Sequence, residues 1–138
     1  MICAFFLALL EIQIEGENGW AKNLPTFKVN NPLRKIVNVP NFTGYHLYLF
    51  LTLFSFLHFP YVWGKPFTLS NELLVVQSFF LIVFIEDFLW FVFNPKWGLK
   101  RFLTEDIPWH PGKFLGLPKN YFYAAAFMVL LLSINFFI

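Results

Sequence analysis

Charge is what this 138-residue sequence has least of. Only 13% of its residues are Asp, Glu, Lys or Arg, against roughly 25% in an ordinary soluble domain. Cysteine occurs once, as Cys3, so no disulfide can close within the chain, and no CxxC or zinc-knuckle spacing exists. Ten Lys and Arg against eight Asp and Glu leave a net charge of +2. The cations are scattered through polar segments with no Arg-rich run, which argues against a nucleic-acid partner. P-loop, GxGxxG and HExxH motifs are absent, as are internal repeats and the repeated histidine boxes of membrane di-iron oxygenases.

Apolar residues fill the space that charge leaves. They make up 58% of the chain, and phenylalanine alone accounts for 21 residues. A chain this short leaves a large share of its side chains on the surface, so the composition excludes a soluble monomer and equally a disordered chain. It predicts an all-α integral membrane protein, a four-helix transmembrane bundle forming a single domain over residues 1–138. A β-barrel would need strict alternation of apolar and polar residues, which the chain lacks.

A spanning helix needs about 20 mostly apolar residues. Residues 43–63 contain no Asp, Glu, Lys or Arg, residues 73–93 contain only Glu86 and Asp87, and residues 120–138 contain none. Residues 1–14 form a shorter apolar run, about 21 Å as a helix, and meet Glu11, Gln13 and Glu15 at the end. This run has neither the positive flank nor the small-residue cleavage site of a secretory signal. It is read as a first span, with a re-entrant or interfacial helix as the alternative. Between the spans, the cations fall as Lys22, Lys28, Arg34 and Lys35, then Lys65 alone, then Lys96, Lys100, Arg101, Lys113 and Lys119. Under the positive-inside rule this alternation places both long loops in the cytoplasm and both termini outside a cell (inner) membrane. The second long loop mixes its cations with Trp97, Phe102, Trp109 and Phe114. Such a mixture suits a segment lying on the headgroups before the last helix.

Ionisable residues inside a span cost roughly 2.5–3.5 kcal/mol each on insertion scales, so they usually have a task. Glu86 and Asp87 are adjacent and therefore point about 100° apart on a helix; Asp87, Trp90 and Asn94 share one stripe. Glu11 and Glu15 are one turn apart, a like-charge pair that a cation between them would relieve. Given the charge-derived orientation, Glu11, His46, Glu86, Asp87 and His110 all fall in the cytoplasmic half, and His58 falls in the other. The expected polar site therefore has Glu86, Asp87, His46 and His110 as candidate catalytic residues, with Trp90, Asn94 and Trp109 lining it. Carboxylate oxygen and imidazole nitrogen suit a divalent metal, and Glu11, His46, Glu86 and His110 are the candidate ligands. The metal-free alternative is acid–base work by a buried Glu86.

The segments EIQIEG (Glu11–Gly16), NGWAKNLPT (Asn18–Thr26), TGYHLYLF (Thr43–Phe50), EDFLWFVFNP (Glu86–Pro95) and WH (Trp109–His110) together resemble an uncharacterised family of small prokaryotic multi-pass membrane proteins. The resemblance implies a polytopic membrane protein and carries no activity, cofactor or assigned residue. On the residues themselves the first expectation is a membrane-embedded enzyme acting on a lipid or isoprenoid. The alternatives are an accessory or binding subunit of a membrane complex and an oligomeric transporter. Membrane lipid is the expected partner, with a second copy or another membrane protein as further candidates.

Overall fold

The computed structural model describes residues 1–30 and 41–138; the expected loop cations Arg34 and Lys35 lie outside them. In chain order the elements are α1 (Ile2–Glu15), β1 (Lys28–Val29), β2 (Phe42–Thr43), α2 (Gly44–Leu57), α3 (Phe59–Val62), α4 (Leu69–Phe93), α5 (Gly98–Thr104), β3 (Lys113–Phe114), β4 (Leu117–Pro118) and α6 (Lys119–Phe137). The fold is mostly helical, and two helices, α4 and α6, are long and apolar enough to cross a membrane.

Local chemistry sets the helix boundaries. Thr43 caps α2 by accepting from the His46 backbone N–H at 3.3 Å, and Thr68 does the same for α4 through Asn71 at 3.2 Å. Helix α4 ends at Asn94 because Pro95 follows and cannot continue the turn. One expectation needs correcting at residues 43–63. The helix breaks at His58 and restarts with Pro60 in the first turn of α3, since proline lacks the N–H that a continuous helix requires and fits a first turn. A second correction concerns the all-α expectation, because two short antiparallel ladders exist. β1 pairs with β2, and β3 with β4. The latter hairpin turns through Leu115 and Gly116, both at positive φ (51° and 82°), as a two-residue primed turn requires.

Helix α4 is the centre of the assembly. Helix α6 runs antiparallel to it, shown by Phe84–Tyr121 (4.8 Å), Phe80–Phe127 (4.9 Å) and the Ser70–Asn135 hydrogen bond at 2.8 Å. Helix α2 is antiparallel on another side. Phe79 meets Phe50 and Phe54, and Glu72 meets His58 at 3.1 Å. Helix α1 behaves differently. Phe5 packs edge-on against Phe93, while the Gly16 carbonyl accepts from Asn94 Nδ2 at 2.8 Å. Phe5, in the first turns of α1, and Gly16, its C-cap, are separated by about 16 Å, yet both reach the end of α4. Helix α1 therefore crosses the end of α4 obliquely instead of running alongside it. Fully buried Ala4 and Ala8 permit that close crossing because they carry only a methyl group.

The segment after α4 folds back over the same end. Phe91 and Phe102 are fully buried, Trp109 stacks parallel to Phe91 (5.9 Å, 13°), and Trp97 packs edge-on against Trp109. The outer face of α6 remains apolar, with Val129, Leu130, Leu132 and Phe136 more than half exposed. Such a surface suits hydrocarbon contact better than water.

Asn94 is the clasp of this end. It is 2% exposed and ties α4 to the turn after α1. Asn94→Ala removes the part-buried hydrogen bond to the Gly16 carbonyl, a loss of about 0.5–1.5 kcal/mol. Thermal unfolding in detergent, followed by tryptophan fluorescence, should show a lower midpoint than for the exposed control Asn23→Ala.

Candidate metal centre

The polar residues of the chain gather where α1 ends, α2 begins and α4 approaches its C-terminus. Helix α1 presents Glu11 and Glu15 on one face, one turn apart, and both are buried (5% and 8% exposed). The first turn of α2 presents His46, 4% exposed. Its Nε2 lies 3.3 Å from Glu15 Oε1, and its Nδ1 lies 2.7 Å from Thr43 Oγ1. Thr43 thus serves twice, as helix cap and as the partner that orients the imidazole. With Nδ1 protonated and donating to Thr43, the Nε2 lone pair faces the carboxylates, which is the arrangement a metal-binding histidine uses.

The loop after α1 locks this pair. The Ala21 backbone N–H donates to Glu15 Oε1 at 2.5 Å, and the Trp20 ring stacks on His46 (4.4 Å, 24°). Both residues adopt positive φ, 49° and 50°, a conformation that costs ordinary residues about 1–2 kcal/mol. Strain of this kind persists only where the surroundings enforce it, and here it delivers the two contacts that hold Glu15 and His46.

Candidate ligand atoms of Glu11, Glu15 and His46 lie within 4.8 Å of one another. Ligand atoms around a zinc-like ion stand roughly 3–3.5 Å apart, so modest side-chain rotation would close the set. Glu86 extends it from α4, and its carboxyl and the Tyr45 hydroxyl both neighbour the Glu11 carboxyl. Glu11 Oε1, Glu86 Oε1 and the Tyr45 hydroxyl are buried and have no hydrogen-bond partner. Two ionised carboxyl groups this close repel strongly in a low-dielectric site. A proton or a cation must lie between them, and among the described residues no Lys or Arg forms an ion pair with either.

Asp87 serves a different neighbourhood. Its Oδ1 lies 3.0 Å from His110 Nε2, its Oδ2 accepts from the Tyr121 hydroxyl, and Asn120 approaches the other His110 nitrogen. The expected single centre is therefore two adjoining groups, divided by the turn between residues 86 and 87. Glu86 faces α1 and α2, whereas Asp87 faces α6 and the loop carrying His110. Of the expected ligands Glu11, His46, Glu86 and His110, the structure sets His110 with Asp87 and brings Glu15 beside His46. Trp90 and Asn94 are buried in packing and clasp roles, while Trp109 borders a cavity at this end of the bundle. His58 pairs with Glu72 at the opposite end. Sequence reasoning paired Glu15 with Glu11 across a cation but left it out of the ligand set, and it missed the roles of Thr43, Tyr45 and Tyr121. The one-turn spacing of Glu11 and Glu15 carries the first of these readings; Tyr45 and Tyr121 carry no such mark.

Compared with protein families, with curated proteins and with solved structures, the chain gives no match.

Proposed function

We propose that this chain is a multi-pass membrane protein built around a divalent metal ion, and that it works as a membrane-embedded enzyme on a lipid or isoprenoid at the cytoplasmic face. The observation that carries the reading is the buried group of Glu11, Glu15 and His46, completed by the unpartnered carboxyl oxygen of Glu86. One nitrogen and two carboxylates leave coordination positions open, the pattern of catalytic rather than structural sites. A metal bound there would polarise a carbonyl or phosphoryl oxygen of the substrate or activate a water. Thr43 and Trp20 would orient His46, Ala21 would orient Glu15, and Glu86 would hold or accept a proton beside the ion. In the membrane, α2 with α3, α4 and α6 are the crossing rods, and α1 lies obliquely across the cytoplasmic end. The cation-rich loops then sit inside, and the C-terminus points outward.

Elemental analysis tests the core of this reading. Protein purified without chelator, or reloaded separately with zinc, manganese and ferrous iron, should hold about one tightly bound ion per chain, as a single three-ligand site requires. Failure of all three ions to bind at stoichiometric levels would overturn it.

A further inference from the structure

Bordering the candidate metal centre lies a cavity of about 650 Å³, within the size range of small-ligand sites. Trp20, Ala21 and Thr43 form part of its lining, and these are the residues that hold His46 and Glu15 from the other side. Four cations border the cavity, Lys22, Lys28, Lys96 and Arg101, against one carboxylate, Glu17. Lys96 faces Glu17 at 3.4 Å. Arg101 is fixed by Glu105 at 2.9 Å, with its guanidinium over the Trp97 ring. Lys22 and Lys28 have no acidic partner among the described residues, and residues 31–40 contain no Asp or Glu. Two exposed ammonium groups without an acidic partner, bordering one half-open cavity, suit a dianion.

We infer that this cavity binds a phosphate-bearing group, the phosphate monoester or diphosphate head of an amphiphile. The surroundings favour a membrane-borne source. Phe27 sits between the two lysines in sequence and is 54% exposed, and Leu99 and Leu103 are 48% and 40% exposed beside Lys100 and Arg101. Cations interleaved with outward apolar side chains match a headgroup layer. Lysine recognises phosphate as a point charge and tolerates varied geometry, so the cavity selects for charge more than for shape. This inference names the substrate class of the proposed enzyme and rests on its membrane placement, but it does not need the metal.

The test uses the full chain in neutral detergent, with the cavity tryptophans reporting by fluorescence. Short-chain phosphatidic acid, short-chain phosphatidylcholine and inorganic pyrophosphate are titrated separately. Phosphatidic acid should bind at least about tenfold more tightly than phosphatidylcholine, and Lys22→Gln/Lys28→Gln should remove that preference, in line with the worth of charged hydrogen bonds. Both lysines are exposed, so the double variant should fold; an unchanged melting midpoint checks this. Chelator-treated protein should keep the preference, so a failed metal reading and a failed phosphate reading give different results. Equal binding of the two lipids, or a preference that survives the double substitution, would overturn the inference. Pyrophosphate displacing phosphatidic acid at matching concentration would keep phosphate recognition and assign a soluble source. Its failure to do so would assign the membrane.

Discussion

His46→Ala should raise the dissociation constant of the bound metal by more than about 100-fold, exceeding the 10–100-fold typical of losing an outer-shell partner. His46 supplies the only nitrogen among the three side chains whose ligand atoms lie within 4.8 Å. Alanine would leave two carboxylates and no oriented imidazole. Equilibrium dialysis with the ion found in the wild-type protein gives the number. Glu86→Gln separates charge from shape at the same place. Its amide can donate to the otherwise unpartnered Glu11 oxygen, so folding should be kept or improved while metal binding weakens. His110→Ala is the informative control. His110 bonds to Asp87, in the adjoining group and not beside His46, so its loss should leave metal affinity within a few-fold of wild type. Equal depletion by His110→Ala and His46→Ala would sink the assignment and restore a single centre shared by both histidines.

The second large effect is expected at Gly19, in the loop that braces Glu15 and His46. Gly19 has φ +58°, and a Cβ built there would lie 2.5 Å from the Trp109 ring. Alanine would incur about 1–2 kcal/mol for the left-handed backbone and about 1–3 kcal/mol for overpacking a buried indole. Gly64→Ala provides the comparison, since Gly64 also has positive φ (+92°) but nothing within 4 Å. It should show the backbone cost alone. Unfolding midpoints of the two variants in the same detergent, read against wild type, isolate the Trp109 contact. Because Trp109 stacks on Phe91 in the core, Gly19→Ala should also displace Trp20 and weaken metal binding. Equal midpoints for the two variants would show that Trp109 moves aside freely and that the loop is not a brace.

Sequence alone determined the mostly helical, strongly apolar character of the chain, because composition and run length decide whether a segment can bury its backbone bonds in an apolar medium. It also determined where α4 stops, since Asn94-Pro95 ends a helix by local chemistry. The candidate site was legible in part: Glu11, His46 and Glu86 stood out because buried charge is expensive wherever it occurs. The divergence of Glu86 and Asp87 followed from helical periodicity, which needs no neighbours to be known. Tertiary structure decided which neighbours those two carboxylates meet. It placed His110 with Asp87 and brought Glu15, which local spacing ties only to Glu11, under the backbone of Ala21 and beside the ring of His46. It also decided that α1 crosses α4 obliquely, a choice made by how closely Ala4 and Ala8 let two helices approach. Periodicity and cost per residue are local properties of a chain, whereas partnership depends on crossing angles and loop paths that only the packed whole defines.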